Sequence, residues 1–177
     1  MDDLMKRILD IEVRMFLTVP TDAEPACRSE IDAMRLHRRS QFAGWSDRTL
    51  RSYLSDLEAA EAAGRNLLTL KYARMDDRIP PLSTSPDLSP IVEQMTEWQA
   101  VIHRDYPHVM RGGRDLDGFR RYLSAELETY SDATLQSLHQ DLEEHRAAGG
   151  NMARMVYETM AELAGFSSLE EMERRFG

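Results

Sequence analysis

Glu126 stands where helix geometry calls for an apolar side chain. Leu116, Phe119, Tyr122, Leu123, Leu127 and Tyr130 recur at the spacing of a buried helical face, and the carboxylate falls in the middle of their stripe. A charge buried alone is expensive, so Glu126 must be paired, protonated or open to a wet cavity. An aromatic wall beside it would raise its proton affinity by desolvation and suit it to general acid or base work. Glu12 repeats the anomaly on the stripe of Met5, Ile8, Met15, Phe16 and Val19. His37, Arg38 and Gln41 do so on the stripe of Ile31, Met34, Phe42 and Trp45. Two carboxylates and a guanidinium aimed at one interior could hold a small polar ligand. Glu126 and Glu12 would then be the catalytic acids, Arg35 or Arg38 an anion clamp with Gln41 and Arg120 near by, and Tyr130 or Tyr72 a hydrogen-bond donor. The same residues could instead form a buried salt-bridge network, Arg38 with Glu126 or Arg35 with Glu12, that fixes docking alone.

Other reactive side chains carry less. Cys27, in "EPACRSE", has no evident base beside it, so an incidental thiol is the plainer account. His37, His103, His108, His139 and His145 show no metal-ligand spacing and no Glu-x-x-His pair, so neither a metal nor a cofactor is expected. Eleven methionines suit adaptable core packing, and Trp45 and Trp98 suit core anchors. No phosphate-binding glycine loop and no nucleophile elbow occur.

The elements that must position these groups are written twice. "WSDRTLRSYLSDLEAAEAAGRN" from Trp45 and "YSDATLQSLHQDLEEHRAAGGN" from Tyr130 align without a gap at a shift of 85, and the match runs on to Met75 and Met160. Such identity points to an internal duplication. Ser46 and Ser131 are expected N-caps, Gly64 and Gly149 left-handed helix stops, and Asn66 and Asn151 the caps of the next helix. Carried back, the shift pairs Glu12 with Glu97, Asp32 with Asp117, Arg35 with Arg120 and Gln41 with Glu126. Each half then reads as four helices, over roughly 2–18, 29–44, 46–63 and 66–76, then 89–105, 115–129, 131–148 and 151–164. The Pro- and Ser-rich segment 77–88 reads as a linker between a first repeat (1–76) and a second (89–164). A last helix lies within 165–177, where Ser167 and Glu170 predict a capping box. No segment alternates with period two. The expected fold is all-α, one domain of two pseudo-twofold-related repeats with no sheet.

Bulk properties bound the function. A formal charge of −9 and a pI near 5.1 argue against nucleic acid, whose phosphates need a basic surface. No apolar run reaches the ~18–20 residues of a membrane span, and no basic leader precedes the acidic start "MDDLMKRILDIEVRMF". With one cysteine, a soluble cytoplasmic protein is expected. Its oligomeric state is open.

Taken together, "IEVRMF", "MRLHRRSQFAGW", "SYLSDLEAAEAAGRNLLTLKYARM", "YLSAELETYSDATL" and "GFSSLEEME" resemble the uncharacterised bacterial domain-of-unknown-function family 4125. The resemblance covers almost the whole chain in order. It marks Arg35, Gln41 and Trp45, then Glu126, Leu127, Thr129 and Tyr130, with further likeness around Glu12, Cys27, Asn66, Lys71, Tyr72 and Met75. The chain departs from that pattern at Val13 and Leu70, and around Cys27, as a divergent member would. The family implies no settled activity.

Two classes of function follow. One is a helical protein binding a small polar ligand in a polar pocket between the repeats, extending to a cofactor-free lyase, isomerase or hydrolase. The other is a non-catalytic interaction or scaffold protein whose buried polar residues only dock the halves.

Overall fold

The computed structural model describes residues 2–20, 28–113 and 115–177, so Cys27 and its loop lie outside the described residues. Those residues hold nine helices and no strand: α1 (Asp2–Leu17), α2 (Arg28–Gln41), α3 (Asp47–Ala62), α4 (Leu67–Met75), α5 (Leu88–Asp105), α6 (Leu116–Leu127), α7 (Asp132–Ala147), α8 (Met152–Leu163) and α9 (Leu169–Phe176). The all-α expectation holds, and none of these helices is long and apolar enough to cross a membrane.

The punctuation acts as its residue types dictate. Ser46 and Ser131 accept from the amides of Thr49 and Thr134, and Asn66 and Asn151 accept from those of Thr69 and Arg154. Gly64 and Gly149 take φ of +66° and +71°, a region that costs other residues steric strain. The amides that follow them bond back to the Ala60 and His145 carbonyls, completing Schellman stops. The capping box before α9 sits one residue later than expected. Ser168 is the N-cap, accepting from the Glu171 amide, and Glu171 in turn accepts from the Ser167 amide and hydroxyl. Helix α2 ends at Gln41, three residues early, because the chain turns there through Ala43–Ser40 and Trp45–Phe42 backbone bonds. That turn brings Gly44 against α8 so closely that a Cβ would lie 2.9 Å from the Met152 methyl.

Helix α1 packs on α2, α3 and α4, and α5 packs on α6, α7 and α8. The two groups join through α3 on α7, α2 on α8 and α4 on α6, while α9 closes over α8. At the α3–α7 contact Asp141 accepts from the Ser46 amide (2.9 Å) and the Thr49 hydroxyl (2.6 Å), so a carboxylate of α7 covers the N-terminus of α3. Asp56 of α3 accepts from the Ser131 amide at the start of α7, at 3.0 Å. The core is apolar through most of its length, with Ile8, Leu57, Ile91, Leu135 and Leu169 wholly buried.

Candidate functional site

Four ionised side chains meet in that core. Glu12 comes from α1, Arg38 from α2, Lys71 from α4 and Glu126 from α6, with exposures of 0%, 7%, 6% and 7%. Arg38 is the hub. Its Nε lies 3.0 Å from both Glu12 oxygens and its Nη2 2.6 Å from Glu12 Oε1. Its Nη1 donates to Glu126 Oε1 at 2.6 Å and to the Gln41 side-chain oxygen. Lys71 Nζ donates to Glu126 Oε2 at 2.9 Å and stands 3.7 Å from the Tyr122 ring centre, a cation–π contact. Two phenols complete the set at 2.7 Å each, Tyr53 donating to Glu12 and Tyr130 to Glu126. Two acids face two bases, so the cluster is electrically balanced. Phe42, Trp45, Tyr53 and Tyr130 pack ring to ring around it.

Electrostatics then differ from the sequence-based expectation in one respect. Burial pushes the Glu126 carboxyl up, as an aromatic wall should, but the charges of Arg38 and Lys71 outweigh it and hold the group well below the usual carboxylate range. Glu126 is therefore a fixed carboxylate and has no raised proton affinity. Burial alone would lower Lys71, yet the Glu126 charge keeps it above its ordinary value and protonated. Burial, reinforced by the neighbouring carboxylates, raises both Tyr53 and Tyr130 far above a free phenol, so both remain neutral donors.

The other expected site residues scatter. Arg35 does not reach Glu12: it pairs with Asp10 at 2.6 Å, one-third exposed, because it sits three residues from Arg38 on a flank of α2 nearer the surface. The Arg38 guanidinium is engaged by Glu12, Gln41, Glu126 and Tyr53. Arg120 lies on the exposed face of α6. Tyr72 is 39% exposed at the rim. Glu97, expected to match Glu12, is exposed on α5. Lys71 entered the sequence account only through the family resemblance, without a role. The stripe test would have found it, since it stands four residues after Leu67 and four before Met75. Asp141 was likewise passed over, although it falls between Leu138 and Leu142 on the buried face of α7.

Beside the cluster lies a cavity of about 530 Å³, within the range of small-molecule sites. Its walls come mainly from α5, α6, α7 and α8, with α2 and its following turn closing one side. It therefore sits largely among the second group of helices and is not divided evenly between the two. Apolar side chains predominate, including Phe42, Ile91, Phe119, Leu123, Leu142 and Val156. Polar atoms enter from His37, Gln41, Gln99, Tyr122, Glu126, Tyr130 and Tyr157. A second cavity of about 80 Å³ touches Arg38, Tyr53, Lys71 and Tyr130. Glu126 lines both.

An all-helical chain with a neutral buried ion cluster next to a large, mostly apolar cavity is the class that fold and site define. The chain belongs to the family described as "Protein of unknown function (DUF4125)", whose model matches residues 2–174 of the 177, as the sequence resemblance led one to expect. Neither curated proteins nor solved structures give a match.

Proposed function

We propose that the protein binds a small molecule in the 530 Å³ cavity without transforming it, and that the ion cluster positions α2 and α6 as the cavity's walls. The observation that carries this is the pairing of a ligand-sized, mainly apolar cavity with a neighbouring carboxylate already committed to three donors. A general acid or base needs a proton affinity near the working pH. Glu126 is held too acidic for that, and Lys71 too basic.

An internal duplication underlies this arrangement in our proposal. Support comes from the sequence identity and from the packing, in which α1 with α2–α4 is answered by α5 with α6–α8, and α2 on α8 by α6 on α4. Reciprocal bonds support it too, Ser46 to Asp141 and Ser131 to Asp56. The Asn66 side chain donates to the Met15 carbonyl and that of Asn151 to the Trp98 carbonyl. That last correspondence sets the shift at 83 for the first helix of each half, against 85 elsewhere. Glu12 then corresponds to Met95, which explains why Glu97 is at the surface.

The neutral apolar fluorophore N-phenyl-1-naphthylamine tests the proposal. Saturable one-to-one binding is expected in the wild type and is expected to be lost in Val156→Trp, which fills the cavity from α8. Absence of saturable binding, or undiminished binding by the folded variant, would overturn it.

A further inference from the structure

We infer that the ligand is an uncharged apolar molecule carrying a hydrogen-bond donor, held with its apolar body among α5–α8 and its donor on the Glu126 carboxylate. The inference rests on the binding function just proposed and names the chemistry of its ligand.

The duplication shows what the cavity replaces. Under the correspondence given above, Glu12 matches Met95, Arg38 matches Leu123, Tyr53 matches Leu138, and Lys71 matches Val156. All four of these counterparts line the large cavity. In the first half, the interior is filled by two long cations, a phenol and a carboxylate tied to one another. In the second, apolar side chains stand at the matching places, and they form part of the wall of the 530 Å³ cavity. A ligand there occupies the position that the ion cluster fills in the other half, but against walls that offer hydrocarbon instead of counter-ions.

The charge of the ligand follows. Among the described residues lining the cavity there is no lysine and no arginine, so none of them would offset the desolvation of an anionic head. Among the described lining residues the one carboxylate is Glu126, and it is already neutralised by Arg38 and Lys71. A ligand ammonium at that carboxylate would stand beside the Lys71 ammonium, 2.9 Å from its Oε2, and meet like-charge repulsion. A neutral donor meets neither penalty. A carboxylate offers about four acceptor sites. Arg38 and Tyr130 use those of Oε1, and among the described residues Lys71 is the donor to Oε2, which leaves that oxygen a lone pair for a hydroxyl or amide N–H. At another part of the wall the Gln99 side-chain nitrogen donates to the Tyr157 hydroxyl, a second neutral station that matches an uncharged polar group on the ligand.

Three eight-carbon compounds differing only in the head group separate the possibilities. 1-Octanol, octanoate and octylamine are each used to displace N-phenyl-1-naphthylamine from the wild-type protein at pH 7.5, where the second is anionic and the third cationic. The inference expects octanol to displace the fluorophore at concentrations at least tenfold below the other two. Equal or better displacement by octanoate or octylamine overturns the inference while leaving the binding function in place. Failure of the fluorophore itself to bind overturns both. Displacement by octanol that is equally strong in Val156→Trp would locate the binding elsewhere and also overturn it.

Discussion

Replacing Lys71 by Met and Glu126 by Gln, singly and together, tests whether the four buried ions act as one balanced unit. Either single change leaves an odd charge in the core. Lys71→Met leaves Glu12 and Glu126 sharing Arg38, and Glu126→Gln leaves Arg38 on Glu12 and takes from Lys71 the carboxylate it pairs with. Breaking a buried pair by removing one partner costs ~3–5 kcal/mol. Arg38 still holds Glu126 in the first variant and the Tyr122 ring still faces Lys71 in the second, so the lower end, about 3 kcal/mol, is expected for each. At this chain length 1 kcal/mol moves the melting temperature by ~2–4 °C, so circular-dichroism melts should fall by roughly 6–12 °C. The double variant restores neutrality with Arg38 and Glu12 alone. It is expected to be no less stable than either single, a coupling of about 3 kcal/mol. Acid adds a second readout. In the wild type Glu126 lies below its unfolded value, so its contribution is complete above about pH 5 and is lost as pH falls through the folded value. In Lys71→Met one cation is gone and Glu126 accepts a proton more readily, so the deficit measured at pH 7.5 should shrink at pH 5. A double variant whose loss equals the sum of the two singles would refute the idea of a balanced unit.

Four further outcomes are expected from thermal or urea denaturation. Asp141→Ala removes a buried carboxylate that holds the Ser46 amide, the Thr49 hydroxyl and Arg48, and should cost about 3 kcal/mol. Asp56→Ala removes the Ser131 contact at a more exposed site and should cost about 1 kcal/mol. Gly64→Ala should lose about 1 kcal/mol from the left-handed backbone alone, since nothing lies within 4 Å of the new methyl. Arg120→Ala, on the exposed face of α6, should stay within about 0.5 kcal/mol of the wild type, which separates it from its neighbours on the buried stripe.

Local rules carried the helices well because their signals are local. Ser46, Gly64, Asn66 and their partners at Ser131, Gly149 and Asn151 act on amides and carbonyls a few residues away. The stripe test succeeded for Glu12, Arg38 and Glu126 because core spacing within one helix turns a side chain inward, while Gln41 is half-buried and His37, on the same stripe, is exposed. It could not say what lay opposite. Arg35 and Arg38 sit three residues apart on one helix, and only the position of α1 decides that Arg38 takes Glu12 while Arg35 takes Asp10. The proton affinity of Glu126 was misjudged for want of Lys71, which comes from a helix 55 residues away in sequence. The cavity had no signature of its own, since it lies between several helices and the stripe of one helix says nothing of the space between them.

The cavity has an energetic consequence. Residual cavities in a core cost on the order of 24 cal/mol per Å³. Were the 530 Å³ sealed and dry, the loss would be roughly 13 kcal/mol, comparable to the ~5–15 kcal/mol that separates a folded domain from its unfolded chain. Water or a ligand in that space removes such a penalty, and walls such as Leu123, Leu138 and Val156 give water few partners. An uncharged ligand that replaces poorly held water acts as part of the core and should stabilise the fold by mass action. At a hundred times its dissociation constant a ligand that binds only the folded state adds ~2.7 kcal/mol, or roughly 5–10 °C in melting temperature at this length. 1-Octanol at that ratio should produce such a rise in the wild type and none in Val156→Trp, read by circular dichroism. Displacement of the fluorophore without any rise in melting temperature would show that the cavity's contents contribute nothing to the core, contrary to the volume argument.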